Sequence, residues 1–486
     1  MQADIERQQF ENALHAFQQG DLTTAIEQLK QLLANTPDND NYRIALANLY
    51  IVTDTPQLAC ELFSDDEPNS CYNKAYYAAK AGLAEMAIGL FERAISSGLR
   101  DPAEAYNHIG ILHREELLDD ISAETAFKKA LSLSPSYSPA KINLANLYED
   151  QGHKESATSL LMSFKNDDNF YPTSLARLAA MQRDGSLIST LKDCLPRVQH
   201  DPEIRCNLLY ELGHQWEAKG NYQEAWHAFQ SANTINAQLM RPFDAQAWHR
   251  RYVQATQKSH EPFKPIARNV LFICGMFRSG STLLEQMLAA HPAIAAGGEL
   301  TLFPKLHSHL NQHSKQQAIT IYLRQLDAVS KGKRWVTDKR PDNIWYINTI
   351  KRLFPHAKII ITERELRDNA LSIYQQRLAP AMNYACHPDH IVEYAQLCDQ
   401  LKHHWLTCYP DDVFIVKYES LVNDPEATID PLLKMMGLTW DDACLNFHQL
   451  NNTVKTASVW QVRKALNQKS IGRSTHYPEF LPNVSS

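Results

Sequence analysis

Most of what would mark a metal, disulfide or membrane protein is missing from this chain. Its 9 cysteines are an odd number, without CxxC pairs or metal-ligand spacing, so reduced thiols are expected and a disulfide framework is not. The 20 histidines form no HExxH group, which leaves metal catalysis without a ligand set, and no metal is expected. No run approaches the roughly eighteen apolar residues of a membrane span, and the stretch Met1 to Arg7 has no cationic segment leading into an apolar core. Neither a span nor a secretion signal is expected, and a cytoplasmic location is. Charge of neither sign dominates: 48 Lys and Arg stand against 55 Asp and Glu, a net charge of -7, so there is no general basic field for nucleic acid and cations must act locally. What the chain does have is length and apolar content, 486 residues at 44% hydrophobic, enough for roughly two to four packed domains.

Up to about residue 235 one pattern recurs. A small residue is followed by a turn residue and then by alanine and an aromatic, as in Gly213, Gly220, Ala225 and Phe229, in Ala75, Gly82, Ala87 and Phe91, and in Ala13, Gly20 and Ala25. Small residues let the two helices of a hairpin approach closely, while the aromatic fills the gap to the next hairpin. The period is about 34 residues over roughly seven hairpins, and the residue types resemble tetratricopeptide repeats. Such an array binds a peptide or protein, or acts as a spacer. The periodicity lapses after residue 236; one more helix is expected over 243–257, and Pro262 and Pro265 end it. The expected domains are a helical solenoid over 1–236, a helical linker over 237–267 and an α/β domain over 268–486.

The α/β domain opens with an apolar run, Val270 to Cys274, a loop bracketed by Gly275 and Gly280, and an apolar helical pattern from Ser281. That is a strand, an anion-cradling loop and a helix N-terminus, with Arg278 as a fixed cation. It has the glycine spacing of a Walker A loop, but Ser281 stands where the lysine that reaches the β- and γ-phosphates belongs, which argues against an ordinary ATPase or GTPase. Further strands are expected at 293–296, 335–337, 358–362 and 413–416, with helices at 281–290, 342–353 and 368–378. This alternation implies a parallel sheet with a ligand site at the strands' carboxyl ends, where Arg278, Glu299, Lys339 and Arg364 fall.

Five motifs appear in order: Gly275 to Leu283; His291-Pro292 with Gly297-Gly298-Glu299; Thr337 to Pro341; Arg364 to Ser372; and Ala457 to Lys464. Together they resemble the sulfotransferases that use 3'-phosphoadenosine 5'-phosphosulfate (PAPS), in particular the tyrosylprotein branch. The resemblance implies a multidomain protein, an all-α tetratricopeptide solenoid followed by an α/β P-loop-like sulfotransferase domain with a central parallel sheet. It further implies that Arg278, Ser279, Gly280, Ser281 and Thr282 hold the 5'-phosphosulfate, that Arg364 and Ser372 hold the 3'-phosphate, and that Arg463, Lys464 and Arg473 belong to a late cofactor loop. Glu299 is the expected base, with Arg278, Lys339 and Ser458 stabilising charge on the sulfonate and the leaving oxygen; His291 and His307 are rival bases. The partners implied are PAPS as co-substrate and a hydroxyl acceptor, protein or peptide tyrosine among the candidates, with the solenoid recruiting acceptor or partner and homodimerisation left open. Phe277, Glu365 and Gln376 depart from the family pattern. The competing readings are a P-loop nucleotide kinase and an inactive repeat scaffold that binds a nucleotide.

Overall fold

The computed structural model describes residues 2–257, 263–307, 312–450, 452–456 and 458–481. Residues 258–262 of the expected linker, Pro262 among them, and Ala457 therefore lie outside the described residues. Among the described residues up to Leu239 the chain is a series of seven helical hairpins, from Gln2–Gln18 with Leu22–Asn35 to Pro202–Ala218 with Tyr222–Leu239. The recurring small residues are where close approach demands them. Ala13, Ala25, Ala75, Ala87 and Ala225 are all fully buried. A Cβ on Gly110 would meet the Phe127 ring at 2.4 Å, and one on Gly213 would meet the Phe229 ring at 2.5 Å. Within these two hairpins the second helix's phenylalanine thus occupies the space that the first helix's glycine leaves.

Two compact units are present, Met1–Leu144 with Pro304–Ala328, and Ala145–Phe303 with Val329–Ser486. The first holds the early hairpins and most of the helix Gln312–Ser330, an element without a counterpart in the sequence expectations. This helix runs past successive hairpin turns: Gln317 donates to the Ala81 carbonyl at 3.3 Å, Arg324 to Glu85 at 2.9 Å and Gln325 to the Glu116 carbonyl at 3.1 Å. The repeats and this excursion are far apart in sequence, and no periodicity links them.

In the second unit a five-stranded parallel sheet runs β2-β3-β1-β4-β5. The strands are β1 Val270–Gly275, β2 Ile294–Ala295, β3 Trp335–Lys339, β4 Lys358–Glu363 and β5 Val413–Lys417. The central strand β1 is buried along its whole length, as an apolar strand covered on both faces should be. Leu271 and Ile273 pack with Leu284, Met287 and Leu288 of the helix Ser281–Ala289, while Phe272 makes an edge contact with Phe303 at 5.5 Å. The expected helix over 342–353 is instead a tight 3-10 segment, Pro341–Tyr346, followed by Ile347–Leu353. Asn343 donates to Asp338 at 3.0 Å and the Trp345 indole to Tyr394 at 3.0 Å; these anchors tighten the first turn. The helix expected over 243–257 is found at Ala245–Thr256.

The last hairpin, also in this unit, is tied to the end of the helix Leu366–Tyr374 and to the C-terminal segment. Asn233 donates to the Tyr374 carbonyl at 2.8 Å, and Tyr222 stacks on His476 with centroids 4.2 Å apart. Compactness therefore groups the later repeats with the sheet, whereas periodicity groups them with the earlier repeats.

Candidate active site

The sheet register sets three strand ends side by side. Lys339 at the end of β3 pairs with Ile273 of β1, and Gly275 at the end of β1 pairs with Thr362 of β4. The glycine-bracketed loop and Arg364 follow directly. Gly275 has φ +136°, and a Cβ there would lie 2.3 Å from the Thr362 carbonyl oxygen, so only glycine lets β1 and β4 approach this closely. Arg278 has φ +65° and Gly280 φ +96°, turning the loop into a concave array of backbone N–H groups ahead of the helix Ser281–Ala289. No side chain caps that helix at Gly280, so its first N–H groups can serve an anion.

Arg278 is the hub of the site. Its Nε donates to Ser372 at 3.1 Å, Nη1 to Ser458 at 2.5 Å and Nη2 to Gln461 at 3.2 Å, joining segments that are 94 to 183 residues from it in the chain. These partners are all neutral. Burial, and then the neighbouring guanidinia of Arg364, Arg183 and Arg473, push Arg278 down to about 9. Such a cluster is stabilised by a bound anion, and it fits a phosphorylated ligand. Arg364, lowered mainly by burial, donates to the Ser470 carbonyl and lies over the Tyr418 ring at 4.8 Å.

Other expected ligands are placed differently. The Ser279 hydroxyl is buried and donates to the Met276 carbonyl at 2.6 Å, beside Thr362 Oγ1 at 2.6 Å, so it fastens the loop to β4 and leaves anion contact to backbone groups and to Ser281 and Thr282. Arg463 donates to the carbonyls of Asp150 at 2.5 Å and Asn452 at 2.8 Å, and Lys464 is exposed; the structure does not bring these two into the Arg278 cluster. Arg473 does reach it, with Nη2 bonded to both oxygens of Glu217 at 2.8 Å and to Gln375 at 2.9 Å.

On the β3 side, Lys339 Nζ donates to Glu299 at 2.6 Å. The lysine side chain is 0% exposed and the glutamate 33%, so the carboxylate is the member of the pair open to an incoming group. The loop that carries Glu299 is pinned from below. Gly297 crosses β3 so closely that a Cβ would sit 2.0 Å from the Thr337 carbonyl oxygen, and Lys339 N–H donates to the Gly298 carbonyl at 2.8 Å. Glu285, which sequence reasoning passed over as a helix residue, accepts from Gly298 N–H at 3.0 Å and from the Thr337 hydroxyl at 2.6 Å. Burial pushes its carboxyl up. His291 is structural: Nδ1 accepts from Ala293 N–H at 3.1 Å, which leaves the proton on Nε2 to donate to the Thr439 carbonyl at 3.1 Å. His307 is exposed in the Pro304–Ala328 segment.

The departures have local explanations. Glu365 caps the helix Leu366–Tyr374, accepting from Arg367 N–H at 2.8 Å and Asp368 N–H at 2.7 Å. Asn369 braces the loop by donating to the Phe277 carbonyl at 2.8 Å. Gln376 lines a cavity of about 260 Å³ with Arg278, Ser372 and Arg473, while Arg377 pairs with Glu203 at 3.3 Å. A larger cavity, about 770 Å³, lies at the ends of β1 and β4 and is lined by Gly275, Met276, Thr362, Arg364, Lys402 and Glu419.

The model of the sulfotransferase family matches residues 270–322 and 307–442, which contain the loop, Glu299, Lys339, Arg364 and Ser372. The chain carries a sulfotransferase family domain. The domain is 29% identical over 242 residues to an uncharacterized protein of Aquifex aeolicus, covering 45% of this chain and 32% of that protein. It is 24% identical over 219 residues to protein-tyrosine sulfotransferase 2 of Gallus gallus, covering 41% of this chain and 59% of that one. The chain thus spans about a third to three fifths of the length of these relatives. Among solved structures, the sulfotransferase domain from the Synechococcus PCC 7002 olefin synthase is similar at 22% identity and TM-score 0.34, covering 45% of this chain and 90% of that one. Among the described residues no helix is long and apolar enough to cross a membrane.

Proposed function

We propose that the sulfotransferase domain moves the sulfonate of PAPS to a hydroxyl acceptor, with tyrosine in a protein or peptide as the first candidate. The observation that carries this is Arg278, whose guanidinium gathers Ser372 and Ser458 at the mouth of an uncapped helix N-terminus. A kinase loop would present a lysine to a terminal phosphate; here Ser281 stands in that place, and the cations are arginines arranged around serine hydroxyls.

PAPS would supply an activated sulfonate. The chain's own groups then divide the work. N–H groups from Arg278 to Thr282 orient the 5' end, and Arg364 with Ser372 takes the 3'-phosphate. Glu299, through the oxygen that Lys339 does not hold, removes the acceptor's proton, a role that typically contributes about 10²- to 10⁴-fold. Lys339, fully buried beside it, fixes the carboxylate's position and places a cation where negative charge gathers on the sulfonate and leaving oxygen. Residues 1–236 act as the solenoid that recruits acceptor or partner, 237–267 as linker and 268–486 as the transferase.

The test is incubation of the full chain with radiolabelled PAPS and a panel of hydroxyl acceptors that includes tyrosine peptides, together with titration of adenosine 3',5'-bisphosphate. Label transfer and bisphosphate binding are expected. Neither transfer nor binding, or ATP bound more tightly than the bisphosphate, would contradict the proposal.

A further inference from the structure

We infer that Arg183, contributed by the helical repeats, is a ligand for the 3'-phosphate of the nucleotide, so that the last two hairpins complete a site which the sulfotransferase domain leaves open on one side. The inference rests on the nucleotide assigned above. Its basis is the cavity of about 260 Å³, lined by Arg278, Ser372 and Lys469 and also by Arg183, Glu217 and Arg473. All six belong to one compact unit. The space takes a phosphate group with several waters, since a water occupies about 30 Å³.

Arg183 lies in the turn between the helices Tyr171–Met181 and Ile188–Cys194. Its guanidinium is aligned by Glu211, which accepts from Nε at 3.1 Å and Nη2 at 2.8 Å. This two-pronged contact fixes the plane of the guanidinium and leaves the Nη1 donors without a partner among the described residues, on a side chain that lines the cavity. Glu217, the one carboxylate lining the cavity, is already engaged by Arg473 and by Tyr477 at 3.1 Å. The cavity therefore presents an excess of cations facing Ser372, the expected 3'-phosphate ligand. Arg183 also contributes to the repulsion that lowers Arg278, which a phosphate held between them would relieve. Periodicity marks this turn as a plain hairpin connection, and the domain boundary at residue 236 separates it from the site; folding brings the two together.

The experiment is calorimetric titration of the full chain, wild type, Arg183→Gln and Arg183→Lys, with adenosine 3',5'-bisphosphate and with adenosine 5'-monophosphate. Arg183→Gln is expected to weaken the bisphosphate at least tenfold and the monophosphate less than twofold, with partial recovery in Arg183→Lys. Monophosphate binding thereby reports that the variant is folded. Equal losses for both ligands, or no loss for either, would overturn the assignment of Arg183 while leaving the donor reading intact. A wild-type protein that does not distinguish the two ligands would overturn both.

Discussion

Lys339 and Glu299 meet at 2.6 Å across the step from β3 to the loop that follows β2, with the cation sealed in the sheet and the carboxylate a third exposed. The pair is held from beneath by a second carboxylate. Glu285 accepts from Gly298 N–H and from the Thr337 hydroxyl, and so fixes the backbone on which Glu299 stands.

Glu285→Ala is accordingly expected to lower kcat at least tenfold while leaving the affinity for adenosine 3',5'-bisphosphate within about threefold, because geometry at the base loosens but the anion loop does not. Glu285→Gln keeps an oxygen acceptor for both donors and is expected to recover most of the loss. Steady-state kinetics beside calorimetry checks the split; an equal fall in binding would show that Glu285 supports the whole domain instead.

At the β1 end, Gly275→Ala forces a Cβ to within 2.3 Å of the Thr362 carbonyl oxygen at φ +136°. A strained backbone plus a steric clash in a buried central strand is expected to cost about 3 kcal/mol or more. Urea unfolding measures it. A change under about 0.5 kcal/mol, the usual range for surface substitutions, would mean that the strands can part there without consequence.

The legible parts of the molecule were those with local signatures. Gly110 and Gly213 lie in periodic positions, and the strand, loop and helix around Arg278 form one continuous stretch, so the hairpins, the sheet and the glycine-bracketed turn between β1 and its helix were all readable. Arg183, Glu211 and Glu217 were not, because their partners lie outside their own hairpins: Arg183 meets Glu211 of the next hairpin, and Glu217 meets Arg473, more than two hundred and fifty residues away. Arg463 is a further case. Its motif suggested the nucleotide, but the backbone carbonyls of Asp150 and Asn452 offer it acceptors that no linear pattern reveals.

The Glu217 cluster also makes stability depend on pH. Burial alone would raise the Glu217 carboxyl, but His214, 3.6 Å away, and Arg473 outweigh it and hold the group well below its usual 4.5, so its contribution is present above that value and lost as pH falls below it. His214 is pushed down by burial, and next by Arg183, from 6.5; the unfolded chain takes up that proton first, which weakens the fold as pH drops through 6.5. Both shifts act in one direction. The unfolding midpoint is expected to fall between pH 7 and 4, each group contributing at most about 1.4 kcal/mol per pH unit. Glu217→Gln should flatten the lower part of that profile; a midpoint that rises on acidification would contradict the placement of both groups.

Replacement of Glu299, the proposed base, tests the chemistry itself. Glu299→Gln retains the shape of the side chain and an oxygen for Lys339, but cannot take a proton from the acceptor. Measured on one preparation, it is expected to bind adenosine 3',5'-bisphosphate within about threefold of wild type while transferring sulfonate from PAPS at least about a hundredfold more slowly. Transfer at the wild-type rate would contradict the assignment of Glu299 as the base.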